Sequence, residues 1–242
     1  MKTKLSELFY QPTIGEIPGI LLEAFAVTPL PDKDFIELTN EFKKLKNKNN
    51  APFTESLIVE GIIIETILRS PKKYVNFCFV ENGDNISLML HLSDIVASLD
   101  SGDEVYSLKG VQQGGITVYK LNKSTDPMDY LNEKKRYEIG LGDYINDKTN
   151  MVNTRIVSYE KDDIALFNFN SSKYYSAIWN LFKYIKISFM IFKSIKNSPL
   201  DPEYKKRLGR LSIAMQYCFE TQDPEGEQMS LSNPSDITSL WP

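Results

Sequence analysis

The chain has very few of the residues that hold transition metals. Its 242 residues include one histidine, His91, and two cysteines, Cys78 and Cys218. A tight transition-metal site takes three or more fixed His, Cys or carboxylate ligands, so a histidine-based metal centre is not expected. Two cysteines this far apart also exclude a disulfide scaffold and favour a reducing compartment. We therefore predict no metal, no other cofactor and a cytoplasmic location, with both cysteines as inert core residues.

The sequence also has no excess of charge and no long apolar run. Its 28 Lys and Arg residues stand against 32 Asp and Glu, a net charge of −4, so we do not expect a nucleic-acid partner. The most apolar stretch, 174–196, is interrupted by Lys183, Lys186 and Lys193. It falls short of the ~18 unbroken apolar residues of a membrane-spanning helix. The N-terminal MKTKLSELFY also has no apolar run typical of a signal peptide, which predicts a soluble, intracellular protein.

Residues 1–72 are predicted to form an irregular lead followed by one or two helices. Four prolines between positions 12 and 31 favour an extended chain there. Residues 33–46 are predicted as a helix that Asp32 caps, because apolar residues recur at helical spacing. Residues 55–69 are ambiguous. Their Ile and Val content favours a strand, whereas the Glu65–Arg69 spacing favours a helix, which we take as the prediction.

Residues 73–170 have the pattern of an antiparallel sheet. Short β-branched and aromatic segments alternate in polarity and are separated by turn signals such as NGD, SGD and QQGG. Since no helical crossovers lie between them, they predict an antiparallel sandwich or barrel. The predicted strands are 73–81, 85–96, 104–110, 115–121, 135–141, 153–160 and 164–170.

Residues 171–222 are predicted to form a helical hairpin packed on the sandwich. Its first helix, 174–196, carries lysines on one stripe. Three alternatives are open for this helix: it packs on the sheet, lies on a membrane surface or forms a protein interface. The second helix is predicted to have Asp201 as its cap and Pro202 at its first helical position. The complete prediction is an α+β protein with N-terminal helices, a sandwich or barrel and this hairpin.

Residues 223–242 are predicted to be a disordered acidic tail. They carry four acids and no base, a charge of −4, whereas residues 171–222 carry nine bases and three acids, a charge of +6. Three alternatives remain open for the tail: a solvated terminus, docking on the basic hairpin through complementary charge, and a linear motif that orders on a partner.

The order of motifs in 73–170 resembles the cupin β-sandwich. The motifs are SLMLHLS (87–93), GDEVYSLKG (102–110), ITVYKL (116–121) and GLGDYI (140–145). The resemblance implies a sandwich with a barrel mouth. It does not imply the usual cupin metal, because Leu92 and Ser93 follow His91 where the family has a second histidine, and NMVNTR (150–155) stands in place of its last one.

Six residues are candidates for a functional site. His91 and Glu104 are candidate acid/base groups, and Tyr106, Tyr119, Asn153 and Arg155 are candidate ligand-binding groups on the strand faces. The competing interpretations are a solvent-facing or hydrogen-bonded His91, and an exposed sheet face with ordinary cross-strand pairs for the others.

Two classes of function are carried forward. The first is a non-enzymatic binding or protein-interaction protein, with another protein, a second copy of itself or a small molecule as partner. The alternative is a metal-independent enzyme that acts on a small polar or anionic molecule. Convergence of His91, Glu104 and Arg155 in one pocket would favour the enzyme.

The ligand inventory gives a first testable prediction. We expect elemental analysis of the purified protein to find no stoichiometric iron, zinc, nickel or copper, since one histidine and two distant cysteines supply too few ligands. About one such ion per chain would contradict this expectation. An all-oxygen calcium or magnesium site is not covered by the same reasoning.

Overall fold

One curved sheet of ten strands organises the fold. The computed structural model describes residues 30–96, 103–113, 115–124, 127–151, 154–161, 182–220, 229–231 and 239–241. The strands are β1 Ser56–Glu60, β2 Tyr74–Asn82, β3 Asn85–Ser93, β4 Glu104–Gln113, β5 Ile116–Lys123, β6 Ile156–Glu160, β7 Phe182–Ile191, β8 Leu211–Glu220, β9 Met229–Leu231 and β10 Ser239–Trp241.

Five α-helices accompany the sheet within the described residues. They are α1 Asp32–Lys43, α2 Ile62–Arg69, α3 Pro127–Tyr137, α4 Asp143–Thr149 and α5 Asp201–Lys206, with a π-helical turn, Glu138–Gly142, between α3 and α4. The fold is therefore α+β, with a mostly antiparallel, barrel-like sheet and a few helices. In the part of the chain that the structure describes, no helix has both the length and the apolar character needed to cross a membrane.

The strand order in the sheet is β10-β6-β2-β3-β4-β5-β1-β7-β8-β9. All neighbours are antiparallel except β1 and β5, which are parallel with Ile58 opposite Val118. The two three-residue strands occupy the edges, β9 beside β8 and β10 beside β6. Strands from 56–60, 182–191 and 211–220 thus belong to the same sheet as those of 73–170.

Alternate side chains of the strands fill the interior of the curved sheet. Phe79 of β2 and Phe189 of β7 are separated by four strands in the sheet order, yet their ring centroids lie 6.2 Å apart. The sheet must therefore curl until its inner face meets itself. Side chains of α2 and of the π-helical segment pack into the same core: Ile63, Ile64, Ile67, Tyr137 and Leu141.

Helices cover two regions of the outer face. Tyr130 of α3 packs with Cys78, Met89 and Ile156, and all four are buried. On the other region, α1 and α5 cover Met190 of β7. There the buried Asp34 carboxylate accepts a hydrogen bond from the Tyr204 hydroxyl at 3.0 Å, which joins α1 to α5.

The predictions of β2 to β5 are confirmed to within a few residues, and so is the hairpin turn at QQGG. The first helix is also confirmed, although Asp32 is its first residue rather than its cap. The last predicted strand, 164–170, and residues 174–181 lie outside the described residues.

The prediction of a helix over 174–196 was wrong for its described part. Residues 182–191 form β7, with Ile185, Ile187 and Phe189 on the inner face. Met190 faces α1, so this end of the strand is apolar on both faces. A strand covered on both faces has a nearly continuous apolar run, which periodicity alone does not distinguish from a helix.

The second predicted helix is confirmed only over Asp201–Lys206, and Pro202 lies in its first turn. The prediction was wrong for 211–220, which form β8 and pair with β7. Gly209, with φ +74°, takes the left-handed conformation that ends the helical segment and redirects the chain. The helical hairpin is thus a pair of strands joined by a short helix.

Residues 135–141 were wrongly predicted as a strand and belong to α3 and the π-helical turn. Two glycines permit close contacts there. A Cβ at Gly142 would lie 2.8 Å from the Tyr137 carbonyl oxygen, and one at Gly140 would lie 2.7 Å from the Glu81 carboxylate. The GLGD motif marks helix packing rather than a turn between strands.

The prediction for 55–69 was half right, because a strand, Ser56–Glu60, precedes a helix, Ile62–Arg69. Leu57 and Val59 are buried by alternation, whereas Glu65 and Arg69 form the expected ion pair across one helical turn. Both signals were present, and Gly61 between the two elements marks the change.

The prediction of a disordered tail was wrong for six residues. Met229–Leu231 pairs with β8 and Ser239–Trp241 pairs with β6, both antiparallel. Docking on 171–222 therefore holds for Met229–Leu231, whereas Ser239–Trp241 docks on β6, outside that region. Both contacts are backbone pairings. The rest of 223–242 lies outside the described residues.

The core contact of Phe189 gives the second prediction. Phe189 is 1% exposed and its ring lies 5.5 Å from that of Phe42. We expect Phe189→Ala to lower the free energy of unfolding by about 3–5 kcal/mol, since a large buried aromatic is lost. Lys186→Ala on the same strand is the control and should cost less than about 1 kcal/mol. Equal effects in urea unfolding would contradict the packing described.

Candidate ligand-binding cleft

His91 is a buried structural residue on the outer face of β3. Its Nε2 lies 2.8 Å from Asp103 Oδ2, and its ring centroid is 5.0 Å from that of Tyr130. Because a carboxylate only accepts, Nε2 carries the proton and donates it. Lys72 Nζ lies 3.2 Å from the other Asp103 oxygen and completes a buried charge network.

The surroundings of His91 favour its neutral form. Burial lowers the pKa of His91, and the hydrogen bond to Asp103 only partly opposes this effect. The second ring nitrogen, Nδ1, is buried and has no hydrogen-bond partner among the described residues. Protonation of Nδ1 would create a buried N–H donor without an acceptor in the described part of the chain, which destabilises the folded protein. His91 is thus poorly placed to exchange protons with a solvent-borne substrate.

Cys78 packs next to this network and is inert. Its Sγ lies 2.8 Å from the Tyr130 hydroxyl oxygen, and the residue is fully buried. Burial raises the pKa of the Cys78 thiol to about 12, so the thiolate is not formed at neutral pH. This agrees with the prediction of a core cysteine. Among the described residues, no three His, Cys, Asp or Glu side chains lie close enough to hold a metal ion.

Glu104 and Tyr106 lie on the opposite face of the sheet from His91. Val105 pairs with His91, and the residues on either side of Val105 point to the other face. The Tyr106 hydroxyl donates to the Glu104 carboxylate, which also contacts Lys123 at 3.4 Å. Burial raises the pKa of Tyr106, with a further contribution from Glu104. Glu104 is therefore engaged in local pairing at the end of the inner face.

The remaining candidates lie elsewhere. Arg155 Nη1 is 3.2 Å from Glu138 Oε1 of the π-helical turn, and the ion pair neutralises its charge. Tyr119 lies opposite Gly110 on the β4–β5 hairpin. Asn153 lies outside the described residues. His91, Glu104 and Arg155 thus make three separate sets of contacts and do not converge.

A different part of the surface forms a cleft of about 620 Å³. It lies where the end of α1, the loop after α1, α4, the end of β7 and the turn before β8 meet. We call it the lysine cleft. It is lined by Glu41, Lys44, Leu45, Lys46, Asn50, Tyr144, Lys148, Thr149, Ile191, Phe192, Lys193, Leu208 and Gly209.

Hydrogen bonds that involve backbone groups hold the walls of the lysine cleft in place. The Tyr144 hydroxyl lies within hydrogen-bond distance of two carbonyl oxygens, that of Lys46 at 2.9 Å and that of Asn47 at 3.2 Å. The Asn47 side chain in turn accepts from the backbone of Ala51 at 2.9 Å and shapes the loop. On the opposite wall, Gly209 N–H donates to the Phe192 carbonyl at 2.8 Å. The cleft is therefore a built feature of the fold.

The lysine cleft carries more positive than negative charge. Four lysines line it against the single carboxylate of Glu41, which pairs with Lys44 at 2.6 Å. Lys193 pairs with Glu37 at 2.9 Å, and its hydrogen bond lowers the pKa of that carboxyl. Lys46 and Lys148 have no carboxylate within ion-pair distance among the described residues.

The positive charge extends beyond the rim of the cleft. The guanidinium carbon of Arg207 lies 5.4 Å from the ring centroid of Phe192, and neither Arg207 nor Arg210 has an ion pair in the described part of the chain. Burial lowers the pKa of Arg210, and the charge of Arg207 lowers it further. The floor beneath these charges is apolar, with Ile191 and Phe192 both less than 5% exposed. The cleft thus combines uncompensated cations with a hydrophobic base.

No motif or periodicity in the sequence predicts this cleft. Its lining comes from four segments, 41–50, 144–149, 191–193 and 208–209, that are far apart in the chain. The available hint was the charge of +6 on 171–222, which contains the basic cluster KKRLGR at 205–210. That cluster lies at the rim.

Comparisons with known proteins give no assignment: no protein-family model, curated protein or solved structure matches the chain.

The burial of His91 gives the third prediction. Because its pKa is lowered in the folded protein, the unfolded chain binds the proton more readily once the pH falls below ~6.5. We expect the free energy of unfolding, measured by urea unfolding, to fall as the pH is lowered from 7.5 to 5.5. His91→Gln should abolish most of this slope, whatever its own stability, since the chain has no other histidine. An unchanged slope in the variant would contradict the assignment.

Proposed function

We propose that this chain is a non-enzymatic binding protein whose lysine cleft holds a small organic anion with an apolar portion. The observation that carries the proposal is the pair of lysines, Lys46 and Lys148, that face the cleft without an acidic partner among the described residues. Because the whole chain has a net charge of −4, an overall excess of basic residues does not explain the excess of lysines in the cleft.

The dimensions of the cleft support a small molecule as ligand. Its volume of about 620 Å³ falls within the range of about 300–1,000 Å³ typical of small-molecule sites. The lysine ammonium groups are mobile point charges, which suit a carboxylate, sulfonate or phosphate without demanding one geometry. The accessible apolar lining, Leu45 and Leu208, the latter 40% exposed, favours a ligand that also buries hydrocarbon surface.

The composition of the cleft supports binding rather than catalysis. Its lining contains no histidine, cysteine or serine, and its one carboxylate, Glu41, is paired with lysine. The alternative, a metal-independent enzyme that uses His91 or Glu104, has less support because these two residues and Arg155 are engaged in separate contacts.

This proposal also includes three predictions from the sequence: a cupin-like sandwich, a metal-free protein and a cytoplasmic location. The motif order in 73–170 is what supports a relationship to cupin-like sandwiches, and the absence of a second histidine beside His91 supports a metal-free form. The buried, protonated Cys78 is compatible with the proposed cytoplasmic location. A protein partner remains an alternative to the small molecule.

The fourth prediction tests the cleft with 8-anilinonaphthalene-1-sulfonate, an anion with an apolar aromatic body. We expect its fluorescence to rise on binding, and the double variant Lys46→Glu/Lys148→Glu to weaken the affinity at least about tenfold, equivalent to ~1.4 kcal/mol. Raising the salt concentration should weaken binding to the wild type, because the charges are exposed.

The matched control is Lys135→Glu, which reverses an exposed charge on α3 outside the cleft. Its affinity for the dye should equal that of the wild type. Nile red, a neutral apolar dye, should not distinguish the cleft variant from the wild type. The proposal is wrong if the wild type does not bind 8-anilinonaphthalene-1-sulfonate. It is also wrong if the double variant Lys46→Glu/Lys148→Glu binds this dye as tightly as the control Lys135→Glu does.

A further inference from the structure

The β4–β5 hairpin leaves the sheet before it ends. β3 pairs with β4 only over Glu104–Ser107, and β1 pairs with β5 only at Val118 and Tyr119. Beyond these positions the two strands pair with each other alone, up to Gln113 and Ile116. Residues 108–118 are therefore an arm that projects from the barrel-like sheet.

One edge of this arm has unpaired backbone groups. On the side away from β5, residues 108–113 have no strand partner and no backbone hydrogen bond anywhere in the described chain. Lys109, Gly110, Val111 and Gln112 are all exposed. A free strand edge is a template for one kind of partner, another extended strand.

The composition of the arm favours pairing rather than preventing it. Residues 110–119 contain no Asp, Glu, Lys or Arg, although a quarter of the chain, 25%, is charged. They also contain no proline, and Lys109 is the only charged residue of 108–113, so the devices that usually block an exposed edge are sparse. On one face, Val111 and Ile116 are 37% and 39% exposed. The free edge thus lies beside two exposed apolar side chains.

We propose that the arm pairs antiparallel with the same arm of a second copy of this chain, edge to edge along β4, about a two-fold axis at Val111. This register places Lys109 of each copy opposite Gln113 of the other, so no like charges face each other across the pair. It also brings the two Val111 side chains together at the axis. The segment is therefore complementary to itself, which a two-fold dimer requires.

This inference is independent of the lysine cleft, whose lining includes no residue of the arm. The two proposals are tested on different residues and by different measurements. Failure of one leaves the other standing.

The fifth prediction concerns the oligomeric state. Sedimentation velocity of the full chain should show a dimer at micromolar concentrations, and Val111→Lys should give a monomer because two lysines would meet at the axis. Since Val111 is exposed, the circular dichroism spectrum of the variant should match that of the wild type. Ile139→Lys is the control: it places the same charge on a side chain that is 69% exposed, outside the arm, and should stay dimeric.

Cross-linking identifies which surfaces meet. Residues opposite each other in an antiparallel pair have Cα atoms about 4.5–5.5 Å apart, within the range of a disulfide. With copper phenanthroline as oxidant, Val111→Cys should form a covalent dimer through position 111, mapped by mass spectrometry, whereas Ile139→Cys should not. A wild-type chain that is monomeric at 100 micromolar, a dimer that persists in Val111→Lys, or a dimer without the 111–111 cross-link would each overturn the proposal.

Discussion

The contact of Phe79 with Phe189 across the interior is the constraint on which the rest of the structure depends. These rings belong to strands separated by four others, and they meet only if the sheet curls by nearly a full turn. Apolar alternation along each strand then forms one continuous core. Burial of this core is the main favourable contribution to folding, so the curl and the core stabilise each other.

The curl also decides where the polar residues go. With the inner face filled by apolar side chains, His91, Asn76 and Ser158 lie on the outer face, buried under other elements. There they need hydrogen-bond partners: His91 donates to Asp103, and the Ser158 hydroxyl donates to Asn76 Oδ1 at 2.6 Å. The lysine cleft arises at the periphery, where helices and turns meet, because such positions can carry charge without desolvating it fully.

β2 to β5 were predicted because the turn signals NGD, SGD and QQGG separate them, and because polar residues such as Asn76 and His91 keep the alternation on an outer face that is itself buried. α1 was predicted because it has an apolar stripe with polar residues opposite. β7 was missed because the lysines of 174–196 recur on one helical stripe, and because Met190, buried under α1, interrupts the alternation of apolar and polar residues. The π-helical turn was missed because GLGD matches a turn signal, while the close contact of Gly140 with Glu81 is visible only in three dimensions. For the site, the pattern correctly gave His91 a hydrogen-bonded interpretation beside the catalytic one. It gave no sign that Lys46 and Lys148 share a cleft, because spacing along the chain carries no information on contacts between distant segments.

The two edge strands link opposite ends of the sheet through a very short connection. Leu231 ends β9 beside β8, and Ser239 begins β10 beside β6. Eight peptide units separate these residues, and their contour length is at most about 29 Å. The first and last long strands of the sheet therefore cannot move farther apart than this length permits while both short strands remain paired. Unrolling of the barrel-like sheet beyond this length therefore requires at least one of the two short strands to detach.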